Sequence, residues 1–170
     1  MKNVYKITGF TEKDENFNKL LNYAFFFLKF RPRSSKEIEM YLNKKIKNRH
    51  WSQDDIKKVI QHLEGLDLIN DKNFVKWFVE QRILLKPKSK YALRQELLKH
   101  GIDKEIIEEY FSSNLMDEEK LAEKILHERW HRYKNLDKRK RFEKSASFLM
   151  RRGFNFEIVK KTITELSNKK

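Results

Sequence analysis

The sequence predicts an all-α protein of three tandem three-helix repeats, stacked into an elongated, curved array. Apolar residues follow helical spacing in nearly every segment after residue 17. The chain is also similar to itself at offsets of 55, 47 and 52 residues, which indicates a repeat. Four glycines and two prolines leave little room for a sheet with many turns. Because a unit of this size cannot bury an apolar face alone, we expect the repeats to stack.

The offsets divide the chain into four segments. Residues 1–17 are predicted to form an N-terminal tail or a short strand, and the repeats follow at 18–69, 70–115 and 116–170. A shift of 55 maps the stripe Leu20, Tyr23 and Ala24 onto the second repeat, and a further 47 maps it onto the third. Gly101 and Gly153 lie 52 residues apart, and each is expected to end a helix. We attribute the difference between 47 and 52 to a longer first connection in the third repeat.

The two prolines stand in similar stretches, RPRSSKEIEMYL and KPKSKYALRQEL. Pro32 and Pro87 are each expected to stop the preceding helix. Ser34 is placed to cap the next helix through a capping box, whereas Ser89 can make only half of that box. The third repeat has no proline at this position, and Asp137 is its predicted cap.

Three stretches are distinctive in combination: LDLINDKNFVKWFVEQR (66–82), LRQELLKHGID (93–103) and RPRSSKEIEMYL. Together they resemble the RecX family of regulators of the bacterial RecA recombinase, and the resemblance runs from about residue 20 to the end. It implies tandem three-helix repeats that lie in the groove of the RecA filament on DNA. Such a protein limits filament growth, ATP turnover and strand exchange in homologous recombination, DNA repair and the SOS response. The resemblance carries over no catalytic residue, so we expect a protein that is not an enzyme and needs no cofactor.

Charge points to a polyanionic partner. The chain has 39 Lys and Arg against 25 Asp and Glu, a net charge of +14, and the third repeat has the largest excess. A run of charge is usually a solvated helix face, but stacked repeats can also bring equivalent turns to one ridge. The predicted contacts with the filament or with DNA are Arg31, Arg33, Lys86, Lys88, Lys90, Arg94, Arg129, Arg132, Lys138, Arg139, Lys140, Arg141, Arg151 and Arg152.

Two functions remain open from the sequence. One is a modulator of RecA, with the RecA filament as partner and DNA bound weakly or within the filament. The other is a stand-alone basic helical-repeat protein that binds nucleic acid by itself. In either case we expect a monomer. We also expect a cytoplasmic protein with no membrane contact, because cysteine is absent and the apolar run at 24–28 is too short to span a bilayer.

One motif suggests a metal site. His127, Glu128 and His131 form a literal H-E-x-x-H, in which two histidines one helical turn apart can share a zinc ion. Glu143 and Glu157 are conceivable third ligands, but nothing in the sequence singles them out. Cations surround the motif, so we predict no metal. The expected arrangement is an ordinary helix with both histidines near the surface.

Aromatic residues offer a last alternative. Phe25, Phe26, Phe27, Trp77 and Trp130 could stack on bases. For most of them we expect packing in the core instead, because they fall on helical stripes.

Overall fold

The computed structural model describes residues 12–46 and 51–168, and over these ranges it contains nine helices and no strand. The all-α class predicted from the sequence is confirmed. None of the described helices has both the length and the apolar character needed to cross a membrane. The helices are α1 (Glu12–Leu28), α2 (Ser35–Ile46), α3 (Gln53–Gly65), α4 (Asp71–Leu85), α5 (Lys90–Lys99), α6 (Lys104–Ser113), α7 (Glu118–Trp130), α8 (Lys138–Met150) and α9 (Phe156–Asn168).

The first helix begins before the predicted start of the first repeat. The boundary at residue 18 falls inside α1, which starts at Glu12. The residues between lack a helix breaker and are rich in acids, which the helix dipole favours in a first turn. The stretch VYKITGF, predicted to be a strand or a tail, lies outside the described residues.

The chain divides into two compact units, one that ends at Phe74 and one that begins at Val75. In the first unit, α1, α2 and α3 pack on one another. Their shared core consists of side chains at helical spacing, together with Ile69 from the connection after α3. The helical side chains are Leu20, Ala24, Ile38, Leu42, Ile56, Val59 and Leu63. Each helix therefore buries one apolar stripe, as the sequence predicted.

In the second unit, α5 packs on α6, and α7, α8 and α9 pack on one another. The core of the last three helices contains Ala122, Ile125, Leu126, Ala146, Phe148, Leu149, Phe154, Val159, Ile163 and Leu166. Buried residues of α5 and α6 repeat the same spacing, with Leu93 and Leu97 on one helix and Ile107 and Phe111 on the other.

The capping predictions are confirmed. Ser34 Oγ accepts from the Glu37 N–H at 3.1 Å, and Glu37 accepts from the Ser34 N–H at 3.3 Å, which is a capping box. Ser89 Oγ accepts from the Ala92 N–H at 3.1 Å without a reciprocal bond. Asp137 accepts from the backbone at the third position of α8, at 3.0 Å. Both prolines lie between a helix end and the next cap, at equivalent turns.

The additional residues of the third repeat are divided between the connection and the following helix. The first connection is longer, as predicted, with seven residues at 131–137 where the second repeat has four at 86–89, and α8 has 13 residues where α5 has 10. The segment KRKRFEKSASFLM contains neither glycine nor proline, and Asp137 caps it, so the helix starts about a turn earlier. The cations at 138–141 occupy this added turn.

Candidate functional site

Two turns of the second unit meet and bring predicted site residues together. The Ser89 N–H, between α4 and α5, donates to the Arg152 carbonyl after α8, at 3.0 Å. Gly153 adopts φ 85°, and a Cβ there would lie 2.7 Å from Ala92 Cβ and 2.6 Å from Ser89 Oγ. Glycine is therefore required for this close approach. We name the cations at this junction the basic corner, which consists of Lys86, Lys88, Lys90, Arg129, Arg151 and Arg152.

Three arginines of the basic corner lack a carboxylate partner among the described residues. The guanidinium groups of Arg129 and Arg152 lie over the Phe148 ring, 4.6 and 4.0 Å from its centroid. Burial, followed by the charges of Arg129 and Arg151, lowers the pKa of Arg152. Like charges held together without a counter-ion favour the binding of an anion.

The remaining cations of the corner differ in their partners. Lys88 and Arg82 both form ion pairs with Glu96, which engages the head group of Lys88. Lys86 is exposed and Lys90 is half-buried, and neither side chain pairs with a carboxylate of the described chain. The corner therefore presents five cations whose charge no described carboxylate neutralises.

Exposed apolar side chains adjoin Lys86, and the sequence analysis missed them. Leu84 is 74% exposed and Leu85 is 69% exposed at the end of α4, and Tyr91 follows on α5. A sequence signal existed for Leu84, which lies off the helical stripe that buries Phe78 and Val79. Leu85 shares the face of Phe78, so its exposure could not be predicted from spacing. A protein partner could cover such side chains, whereas a phosphate backbone could not.

A second group of cations begins α8. This group, the α8 start, consists of Lys138, Arg139, Lys140 and Arg141. Arg139 is 88% exposed and pairs with Glu143 at 3.0 Å, and Lys140 lies 3.7 Å from Asp137. Arg141 donates to the Lys134 carbonyl at 3.2 Å. The α8 start and the basic corner lie at opposite ends of a helix about 20 Å long, so α8 separates the predicted cations into two groups.

The two arginines of the first unit have intramolecular partners. Arg31 donates to both carboxylate oxygens of Glu37, at 2.6 and 3.0 Å. Arg33 lies 3.6 Å from the same carboxylate, and its guanidinium stacks 3.7 Å over the Phe27 ring. Burial, followed by the charge of Arg31, lowers the pKa of Arg33. These cations stabilise the turn, so they offer less charge to a partner than their sequence suggests.

Two other predicted residues lie apart from both groups. Arg94 forms a bidentate pair with Glu108, with both distances 2.9 Å, and lies over the Phe111 ring. Arg132 is exposed in the connection between α7 and α8.

The H-E-x-x-H residues lie at the end of α7. Ile125 and Leu126 are buried, whereas His127 and His131 are exposed, as expected for an ordinary surface helix. Within the described ranges, no three His, Asp or Glu side chains are placed to hold a metal ion.

The prediction that most of the singled-out aromatics pack in the core was wrong for two phenylalanines. Phe27 stacks on Tyr41 at 4.2 Å, but Phe25 is 41% exposed and Phe26 is 61% exposed. Helical geometry is the reason, since a stripe that buries Leu20 and Ala24 turns the neighbouring positions outward.

Comparisons with known proteins give a consistent result. Family models for the second and the third three-helix domain of RecX match residues 70–110 and 117–163. The "Regulatory protein RecX" of Prosthecochloris aestuarii is 31% identical over 155 residues, which cover 90% of this chain and 97% of that protein. The protein of the same name from Streptococcus agalactiae serotype V is 31% identical over 94% of this chain, and the match spans 62% of its own length.

A solved structure shows the same likeness. The crystal structure of RecX from Lactobacillus salivarius has a TM-score of 0.71 and 28% identity. The match covers 89% of this chain and 97% of that one.

Proposed function

The chain belongs to the RecX family of regulatory proteins, and we propose that it is a negative modulator of RecA. In this proposal it binds in the groove of the RecA–DNA filament and limits filament growth, ATP turnover and strand exchange. The observation that supports it most is similarity over nine-tenths of the chain to proteins named "Regulatory protein RecX". It acts without a catalytic step or cofactor, as a monomer in the cytoplasm.

The basic corner is the proposed main contact with the filament. Its arginines have no carboxylate partner in the described chain, and exposed Leu84 and Leu85 adjoin it. A filament groove offers acidic protein surface and phosphate together, so a surface with both cations and apolar side chains suits it. Arg132 and the α8 start add further positive charge. We propose a structural role for Arg31, Arg33, Lys88 and Arg94, because each is paired with a carboxylate.

The test measures the DNA-dependent ATPase of the cognate RecA at increasing concentrations of this protein. Wild-type protein is expected to suppress it at or below equimolar ratios. The triple variant Lys86→Gln, Lys90→Gln, Arg151→Gln should inhibit more weakly. The salt dependence of its binding should fall by about one unit of slope for each phosphate that the variant no longer neutralises.

A matched variant distinguishes the loss of the basic corner from a general reduction in positive charge. The variant Lys58→Gln, Lys124→Gln, Lys160→Gln also removes three cations, which are exposed and lie outside the basic corner, and it should inhibit like wild type. Tight binding to bare DNA with no effect on RecA would instead favour the stand-alone nucleic-acid protein, which the charge of +14 also suits. Equal inhibition by both triple variants would leave the RecA proposal standing but reject the basic corner.

A further inference from the structure

The first two repeats show the same contact at the start of their second helix. The Ser35 N–H donates to Asp71 Oδ1 at 2.8 Å, and the Lys90 N–H donates to Glu118 Oε1 at 2.9 Å. Each carboxylate lies in the first turn of the helix that opens the following repeat, α4 or α7. In both repeats, therefore, an acidic helix start docks against the second helix.

In the first repeat this contact lies beside the end of the third helix. Ser35 Oγ donates to Glu64 near the end of α3, at 3.3 Å. Leu68 and Ile69 precede the docked carboxylate, and Ile69 is buried in the first core. The docked segment thus inserts an aliphatic side chain as well as a charge. The segment before Glu118 shares this order in sequence, with Leu115 and Met116 ahead of the acids, but there Leu115 is exposed and Met116 is half-buried.

The third repeat has a pocket at the corresponding place. A cavity of about 610 Å³ lies between the beginning of α8 and the end of α9. Lys138, Arg139 and Arg141 line it from α8, together with Phe142 and with Ile163 of α9. Glu143 is the one carboxylate of the lining, and Arg139 already pairs with it. The pocket therefore combines excess positive charge with apolar side chains.

The additional turn of α8 makes this pocket basic, because Lys138, Arg139 and Arg141 stand on that turn and line the pocket. A phosphate would pair with the cations but would not cover Phe142, which packs only partly against the core. A segment with an aliphatic side chain and a carboxylate would cover Phe142 with the first and pair with the cations through the second.

We propose that this pocket docks the start of a helix from a partner protein, with an aliphatic residue followed by Asp or Glu in the first turn. The partner segment takes the place that α4 and α7 take in the first two repeats. The inference rests on the proposed function only for the identity of the partner, which is then the RecA filament.

The test uses the chain's own docking segment as a probe. A peptide that copies residues 66–82 is titrated into the full-length protein, and backbone amide shifts are followed by NMR. Saturable shifts are expected at 138–143 and 163–168. The same peptide with Asp71→Asn should bind roughly fivefold more weakly, because it loses one surface ion pair. A single-stranded oligonucleotide is titrated in parallel.

Two variants block the pocket in different ways. Lys138→Glu with Arg139→Glu reverses its charge, and acids at a helix start are compatible with folding. Thr164→Trp fills it from an exposed position of α9 without changing charge. Each should weaken peptide binding about tenfold, while Lys124→Glu with Lys160→Glu should not. Retained amide dispersion verifies that each variant is folded.

Three results would overturn the inference: no saturable shifts with the peptide, shifts that map elsewhere, or shifts at the pocket from the oligonucleotide alone. None of these depends on RecA. Inhibition of RecA without peptide binding would therefore reject the pocket and keep the proposed function. Peptide binding without any effect on RecA would keep the docking pocket and reject the proposed function.

Discussion

At the scale of single residues, partners decide which cations can serve a binding role. Glu96 receives Arg82 Nε at 2.7 Å and also pairs with Lys88. Burial acts to raise the pKa of Glu96, but the hydrogen bond from Lys88 and the charges of Arg82 and Lys88 outweigh it, so the pKa is lowered. Through these two pairs, Glu96 connects the end of α4 with the turn that contains three of the six residues of the basic corner.

Glu96→Gln should therefore reduce stability in a pH-dependent way. A carboxyl whose pKa is lowered by folding stabilises the protein above its ordinary pKa of 4.5. That contribution is lost as the pH falls through the lower, folded value. At pH 7 we expect a loss of about 1–2 kcal/mol in the free energy of unfolding, somewhat less than the roughly 1.5–3 kcal/mol of a hydrogen bond to a charged group, because solvent screens this partly exposed carboxylate.

Urea denaturation of wild type and variant at pH 7 and at pH 3 measures this difference. Glu128→Gln, at an exposed position of α7, makes the same charge change as a control and should have little effect. If the difference in the free energy of unfolding between wild type and Glu96→Gln were the same at both pH values, the ionised Glu96 carboxylate would not be the stabilising group.

At the scale of elements, the junction between the α4–α5 turn and the α8–α9 turn depends on one glycine. Gly153 combines φ 85° with contacts that leave no room for a Cβ. Gly65, at the end of α3, has nothing within 4 Å of the same position. These two glycines therefore form a matched pair, of which only one is sterically required.

Gly153→Ala should destabilise the second unit by about 2–4 kcal/mol, through backbone strain and the clash with Ala92. Gly65→Ala should instead stabilise its helix by up to about 1 kcal/mol, because alanine is the better helix former. Chemical denaturation monitored by helicity compares the two. Equal effects would mean that the two turns do not pack as closely as described.

At the scale of the whole molecule, an excess of positive charge opposes the folded state. The net charge is +14, whereas the described ion pairs are mostly exposed and each contributes little. The Debye length falls from about 30 Å at 0.01 M salt to about 10 Å at 0.1 M. Added salt should therefore weaken the repulsion between like charges by more than it weakens the attraction within ion pairs.

We expect the midpoint of thermal unfolding to rise by about 2–4 °C over this range of salt, which corresponds to roughly 1 kcal/mol for a chain of this size. Circular dichroism melts of the wild type measure it. The Lys58, Lys124 and Lys160 triple variant has less repulsion and should show a smaller rise. A midpoint that falls with salt would show that ion pairs outweigh repulsion.

The sequence by itself determined the helices and their repeat. Ser34 and Asp137 start helices as predicted, and Gly101 and Gly153 end them, because caps and helical turns involve residues only a few positions apart. Apolar spacing within one helix also predicts which face is buried, which is why the stripes of the cores were recognised. Family membership followed from the same local motifs.

Only the tertiary structure decided which cations remain available. Arg31 and Arg151 look alike in sequence, yet one is held by Glu37 and the other has no carboxylate partner in the described chain. The contact between Ser89 and Arg152 joins two turns that are distant in sequence, and the pocket between α8 and α9 joins two helices. Such contacts depend on how the helices pack. Packing is determined by the fit between side chains that are distant in sequence, so a local sequence pattern does not predict it.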